Sequence, residues 1–396
     1  MHRPVAAKAL LFPAALAGLI VGLGACSPAR LGEAARVLAD IDAGDGPSAL
    51  KASTPPPLRR PVAYAVDGRR REGDLYLPGE PPLAAMVLVP GLSREGKDDR
   101  RLVAFASTLA RARFEVLVPD LPRLRDQKVS PEDAIALADA SRYVAGRAPE
   151  RPTGMTAISY AVGPAVASLF EPGAEGRIDF VVAIGGYYDV ESTLAFFTTG
   201  FYREGPDGPW RYRTPNDYGK WVFVRSNADR LADEADRALL ALMAERKLDD
   251  IEADVDGLAA RLGPEGRSVY ALLENDDPKR IHDLIAGLPA PVRDDIGRLD
   301  LKRLGLAGLK VRFLLVHGRD DPIIPETESR AFAAALPEGR ARLYVLDSLN
   351  HVDPRPSGLF DRLRLLRAIH GLLELRDRGP SRPSDAASAH AAARRD

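Results

Sequence analysis

Three side chains in this 396-residue chain offer a nucleophile, a carboxylate and an imidazole, and each follows a run that reads as a strand. Ser159 follows residues 155–158, Asp321 follows 311–316, and His351 follows 343–346. Beyond Ser159, Val162, Ala165, Val166 and Leu169 recur at helical spacing. A serine at so tight a strand-to-helix turn is lifted out of the sheet, its backbone strained and its Oγ projecting into the cleft above. The flanking residues must then be small. The usual pattern is G-x-S-x-G, and here Ala157 and Ala161 hold the small positions, with Gly163 two residues further on. Pro164, one turn into the following helix, suits the first-turn preference of proline. In His317-Gly318-Arg319-Asp320-Asp321-Pro322 a glycine turn presents a carboxylate three residues later, at the same sheet edge as Ser159.

The elements that must hold these residues alternate. Residues 62–66 and 74–78, with a turn at Asp67-Gly68, suggest a β-hairpin with a longer loop in which Arg69, Arg70 and Arg71 form a solvated turn. Residues 84–89 are an unbroken apolar run, as in a strand buried on both faces. That run stops at Pro90-Gly91-Leu92-Ser93, where glycine is expected to turn the backbone sharply and leave an N–H facing the cleft. A helix over 99–112, a strand over 114–118, a helix capped by Ser130 with Pro131 at its first position, the 155–158 strand with its helix, and a strand over 180–184 follow. This order predicts an α/β fold: a mostly parallel sheet of about eight strands flanked by helices.

The pattern breaks at Gly185-Gly186 and resumes at Lys310. Eleven aromatic residues crowd between Tyr187 and Phe223, which suits either an apolar cover over the cleft or a small core of the insertion's own. Residues 227–304 are helical by pattern. The strands return at 311–316 and 343–346, with a helix over 326–336 between them and an amphipathic helix over 358–375 at the end. Residues 376–396 read as a disordered tail.

The net charge of −1 gives no electrostatic reason to expect nucleic acid as a partner. No His/Cys/carboxylate cluster has ligand spacing, so no metal or other cofactor is expected. Residues 1–25 carry Arg3 and Lys8 and then an apolar run that suits a signal peptide better than a membrane span. Leu23-Gly24-Ala25-Cys26 resembles the bacterial lipobox, and Cys26 is the chain's single cysteine. The resemblance implies a mature chain beginning at Cys26 and held by lipid in the cell envelope, facing the periplasm and most readily at the outer membrane. Residues 26–58, rich in Ala, Gly and Pro, read as a tether.

The order Ser159, Asp321, His351, with H-G-R-D-D-P-I-I-P and then N-H-V, resembles the α/β-hydrolase superfamily. The likeness covers 59–189 and 305–375 as the core, with 190–304 as a largely helical cap. It implies Ser159 as nucleophile, His351 as the base that takes and returns its proton, and Asp321 as the group that orients the imidazole. Histidine suits both tasks, since its unperturbed pKa is about 6.5. The backbone N–H groups of Tyr160 and Leu92 would form the oxyanion hole. Asp320, Asp189 and Asp347 compete for the place of the acid; His317 reads as a hydrogen-bonding residue at a strand end, and His2, His282, His370 and His390 lie away from the motif.

The expected activity is therefore hydrolysis of a small-molecule carboxylic ester through an acyl-enzyme. Acyl transfer or peptide cleavage by the same triad, or a non-catalytic envelope binding protein on the same scaffold, are the alternatives.

Overall fold

A computed structural model describes residues 27–347, 349–351, 353–354 and 358–380. The expected leader, Cys26 and residues 381–396 of the tail lie outside the described residues. Among the described residues, no helix is long and apolar enough to cross a membrane.

The described residues begin with helices α1 (Pro28–Ala43) and α2 (Ala49–Ser53). They continue through β1 (Leu58–Val66), β2 (Arg69–Leu77), β3 (Ala84–Leu88), α3 (Arg100–Arg111) and β4 (Phe114–Pro119). Next come α4 (Glu132–Arg147), β5 (Thr153–Ile158), α5 (Val162–Ala167) and β6 (Phe180–Ile184). The insertion contributes α6 (Val190–Thr199), α7 (Tyr218–Asn227), α8 (Glu234–Asp249), α9 (Pro264–Leu273), α10 (Ile281–Ala286) and α11 (Ala290–Leu299). The core closes with β7 (Arg312–Gly318), α12 (Glu326–Ala335), β8 (Ala341–Leu346) and α13 (Leu359–Arg376).

The eight strands form one sheet in the order β1-β2-β4-β3-β5-β6-β7-β8. Only the β1–β2 and β2–β4 pairings are antiparallel. The central strands are buried along their length because helices cover both faces, so their apolar residues serve two cores by simple alternation. In β6, Val181 and Ala183 join the cluster under α4, α5 and α12, while Phe180 and Val182 join the one under α1, α3 and α13. The insertion has a core of its own, in which Leu194, Phe197, Trp221, Leu240, Met243 and Leu272 are buried together.

Two expectations are corrected. Residues 28–53 are no tether: they fold into α1 and α2, and Ala34, Val37 and Leu50 are buried in the core. Ala34, Val37, Leu38 and Ile41 recur at helical spacing behind Pro28 at the first turn, a signal masked by the small-residue composition. The β1–β2 connection is also shorter than expected. Asp67 and Gly68, both at positive φ (50° and 77°), make a two-residue turn, so Arg69, Arg70 and Arg71 belong to β2. Arg69 and Arg71 there pair with the buried Asp139 of α4 at 2.7 and 3.0 Å.

Candidate active site

The site is built where β5 runs out. Ile158 is still extended, Ser159 switches to φ +59°, and the chain turns at once through a single 3-10 turn into α5. A non-glycine residue held left-handed costs on the order of 1–3 kcal/mol and persists only where its surroundings fix it. Ala157 and Ala161 are fully buried on either side, so alanine is small enough for this turn. Gly163 answers a different need. A Cβ there would collide with the Tyr187 hydroxyl, whose ring packs against Tyr160.

Asp321 reaches the same edge from the loop after β7. Its Oδ1 accepts from the backbone N–H groups of Ile323 and Ile324 at 2.8 and 3.0 Å, and its Oδ2 accepts from His351 Nδ1 at 2.7 Å. Burial pushes this carboxyl up, but hydrogen bonds from His317 and His351 outweigh it and hold the group well below the usual carboxylate range. It is therefore ionised at any working pH.

His351 sits at φ +55° in the turn of a small hairpin that pairs Leu349–Asn350 with Asp353–Pro354. The hairpin lies directly on the end of β7, because a Cβ at Gly318 would strike the Leu349 carbonyl. With Nδ1–H donated to Asp321, Nε2 carries the lone pair and lies 2.7 Å from Ser159 Oγ. Three residues far apart in sequence thus form one continuous hydrogen-bonded chain.

Of the two expected oxyanion donors, Tyr160 lies in the first helical turn, where N–H groups have no intrahelical partner. Leu92 lines the same cavity as Ser159 and His351. The expected part played by Gly91 is not seen. Its φ is not left-handed, and a Cβ there would meet only an Ile158 methyl, at 3.9 Å, so neither backbone strain nor close approach requires glycine at this position.

The competing acids are occupied elsewhere. Asp320 is exposed and takes Arg213 at 3.3 Å, Asp189 caps α6 and pairs with Lys302 at 2.7 Å, and Asp347 lies between Arg319 and Arg364. His282 is on the surface beside Glu191, and His370 is in α13. His317 is buried behind Asp321, its Nε2 2.8 Å from the Ile324 carbonyl and 3.4 Å from Asp321 Oδ2, its Nδ1 2.7 Å from Ser329 Oγ. It braces the acid.

Sequence reasoning missed one brace altogether. Arg213, in the insertion, donates to the carbonyls of Arg319 (3.0 Å) and Asp321 (3.1 Å) and to the Tyr202 hydroxyl. The Asn216 N–H adds a bond to the Pro322 carbonyl at 2.7 Å. No local pattern marks an arginine that donates to carbonyls a hundred residues away. The crowded aromatics resolve toward the insertion's own packing. Phe196 packs on Tyr202, Phe197 on Phe223, and Phe201 on Trp210 and Tyr212, while Tyr218 lines the cavity at Ser159.

That cavity holds about 600 Å³ and opens on both Ser159 and His351. A serine at a strained strand-to-helix turn, an acid after β7 and a histidine after β8, on a sheet of this order, define the α/β-hydrolase fold. Among solved structures, a putative hydrolase from Legionella pneumophila matches with a TM-score of 0.51 at 13% identity, over 84% of this chain and 92% of that one. The rice cell wall degrading esterase LipA from Xanthomonas oryzae matches with a TM-score of 0.47 at 14% identity, over 80% and 89%. An acylaminoacyl peptidase from Pyrococcus horikoshii matches with a TM-score of 0.44 at 12% identity, over 80% of this chain. The chain spans about two fifths of the length of the acylaminoacyl peptidases it matches, 41% and 43%. No protein-family model matches the sequence, and no curated protein does.

Proposed function

We propose that this protein is a serine hydrolase that cleaves a carboxylic ester through an acyl-enzyme on Ser159. The observation that carries the reading is the unbroken chain Ser159–His351–Asp321, with 2.7 Å at each link, at the mouth of an open cavity. As Ser159 Oγ attacks the ester carbonyl carbon, its proton passes to His351 Nε2. The oxyanion so formed is met by the N–H groups of Tyr160 and Leu92. His351 then returns the proton to the alcohol oxygen as the C–O bond breaks, leaving the acyl group on Ser159. Water, activated by the same imidazole, releases the acid and restores the serine hydroxyl. Asp321 holds Nδ1–H throughout and stabilises the imidazolium without taking the proton.

Ala157 and Ala161, in place of the usual glycines, are buried beside a left-handed Ser159, which supports a catalytic reading over a non-catalytic scaffold. Peptide cleavage or transfer to an alcohol would share the acyl-enzyme and differ in leaving group or acceptor. The test is labelling of residues 27–396 with a fluorophosphonate, alongside Ser159→Ala. Labelling that vanishes in the variant supports the reading, whereas a folded protein that never labels refutes it.

The proposal extends to lipid attachment at Cys26. Since α1 begins at Pro28, such a lipid would hold the folded body against the bilayer, with no long tether between. Cys26→Ala should then move the protein from the membrane fraction to the soluble one. Unchanged fractionation refutes the anchor.

A further inference from the structure

Among the described residues, the insertion contributes only Tyr218 to the lining of the cavity at Ser159. From its mouth it passes behind the sheet edge, between the sheet and the helices α1, α3 and α13. Ile158, Ile184 and Val316, paired in register across β5, β6 and β7, form its first row; Val182 and Leu314 form the next, about 7 Å further from the edge. On α3 the lining runs from Arg101 to Leu109, a depth of about 12 Å at 1.5 Å per residue. On α13 it runs from Leu365 to Leu372. Val37, Leu38 and Ile41 of α1 close the outer side.

Two of the carboxylates along this wall already have partners. Asp40 accepts from Thr108 at 2.7 Å and Lys51 at 2.6 Å, and Asp99 caps α3 through the N–H groups of Arg101 and Leu102. Protein interiors hold few voids larger than a water molecule, and this one has room for about twenty water-sized groups. It is a built space.

We propose that this hollow receives the acyl chain of the substrate, a medium to long unbranched aliphatic chain, with α1 as its outer wall. The inference rests on Ser159 being the acylated nucleophile. A carbonyl carbon bonded to Ser159 Oγ stands at the mouth, and a long apolar path from it leads between the sheet and the three helices. The alcohol leaves on the opposite side, toward the insertion.

The experiment measures kcat/KM for p-nitrophenyl esters from acetyl through butyryl and octanoyl to palmitoyl, and for acetate esters of alcohols of the same lengths. With the acyl chain in the hollow, kcat/KM rises about three- to fourfold per methylene over the shorter acyl chains, while lengthening the alcohol has little effect. Ala368→Phe on α13 and Val37→Trp on α1, each confirmed folded by circular dichroism, lower the octanoyl-to-acetyl ratio at least tenfold. A flat acyl series, a preference that follows the alcohol, or a ratio unmoved by both folded variants overturns the proposal. Fluorophosphonate labelling separates the two levels. Labelled wild-type protein with a flat series refutes the acyl assignment alone, and a protein neither labelled nor active refutes the hydrolase reading with it.

Discussion

The two faces of the sheet are made of the same kinds of residue and are used in opposite ways. Under α4, α5 and α12, side chains such as Leu117, Leu137, Met155, Phe313 and Phe332 fill the space between sheet and helices. Under α1, α3 and α13, Met86, Phe114, Phe180 and Leu373 fill the end remote from Ser159, and the other end is hollow. The tie at the filled end is Arg376. It pairs with Glu33 of α1, donates to the Ala112 carbonyl after α3 at 2.8 Å and is almost wholly buried. The three helices are tied together at that end and leave unfilled space at the other. The packed face, by contrast, carries the braces of the acid: His317, with Ser329 of α12 behind it. One face braces Asp321 and the other leaves open space beside Ser159.

The largest effect expected from this contrast is on the rigid side. Asp321→Asn keeps the size of the acid but favours the wrong imidazole tautomer, and kcat should fall by about 10⁴-fold with the fold intact. Steady-state kinetics with a short ester checks this, and a loss below tenfold would remove Asp321 from the triad. Next in size is the difference in packing. Phe332→Ala on the filled face should cost about 3–5 kcal/mol in urea unfolding, whereas Leu372→Ala, bordering the hollow, should cost about 2 kcal/mol, the transfer value of the atoms removed. Equal costs would mean that the hollow closes in solution.

Gly318→Ala sharpens the link between the β7 end and His351. The added methyl must displace the Leu349 carbonyl, and a shift of about 1 Å in a catalytic group can cost on the order of 100-fold in kcat. KM should change little, so a rise in KM alone would count against this account.

The smallest effect concerns pH. Glu328, on the packed face, accepts from the N–H groups of Tyr188 and Asp189 at 3.0 and 2.8 Å, and burial pushes its carboxyl up to about 7. The folded protein therefore keeps a proton that the unfolded chain releases near 4.5. The stabilisation this proton gives is present below pH 4.5 and lost as pH rises toward 7. Glu328→Gln should raise Tm relative to wild type at pH 8 and leave it unchanged at pH 4.5. A Tm difference independent of pH would contradict the shift.

Much of the scaffold could be read along the chain. Residues 180–184 match β6, and the strands over 114–118 and 311–316 and the helix over 326–336 agree with the structure to within two residues at each end. Ser159, Asp321 and His351 could be singled out because each combines a reactive side chain with the end of an apolar strand, a conjunction visible in local sequence. α1 was obscured because alanine, its commonest residue, suits a linker and a packed helix alike. Arg213 and the hollow left no local trace.

What the sequence determined by itself is therefore periodic and local: which residues face a core, where strands stop, and that a serine, an acid and a histidine stand at those stops. Hydrophobic burial is non-directional, so an apolar residue on β6 or α13 reads the same whether it touches a neighbouring side chain or a cavity wall. Only the tertiary structure decided that α1 lies against α3 and α13 and that a hollow is left between them and the sheet beside Ser159. It alone set the 2.7 Å spacings of the triad, because those depend on the positions of whole layers and on backbone contacts such as Gly318 against Leu349. Distances of that kind are properties of packed elements, and no pattern within a single element encodes them.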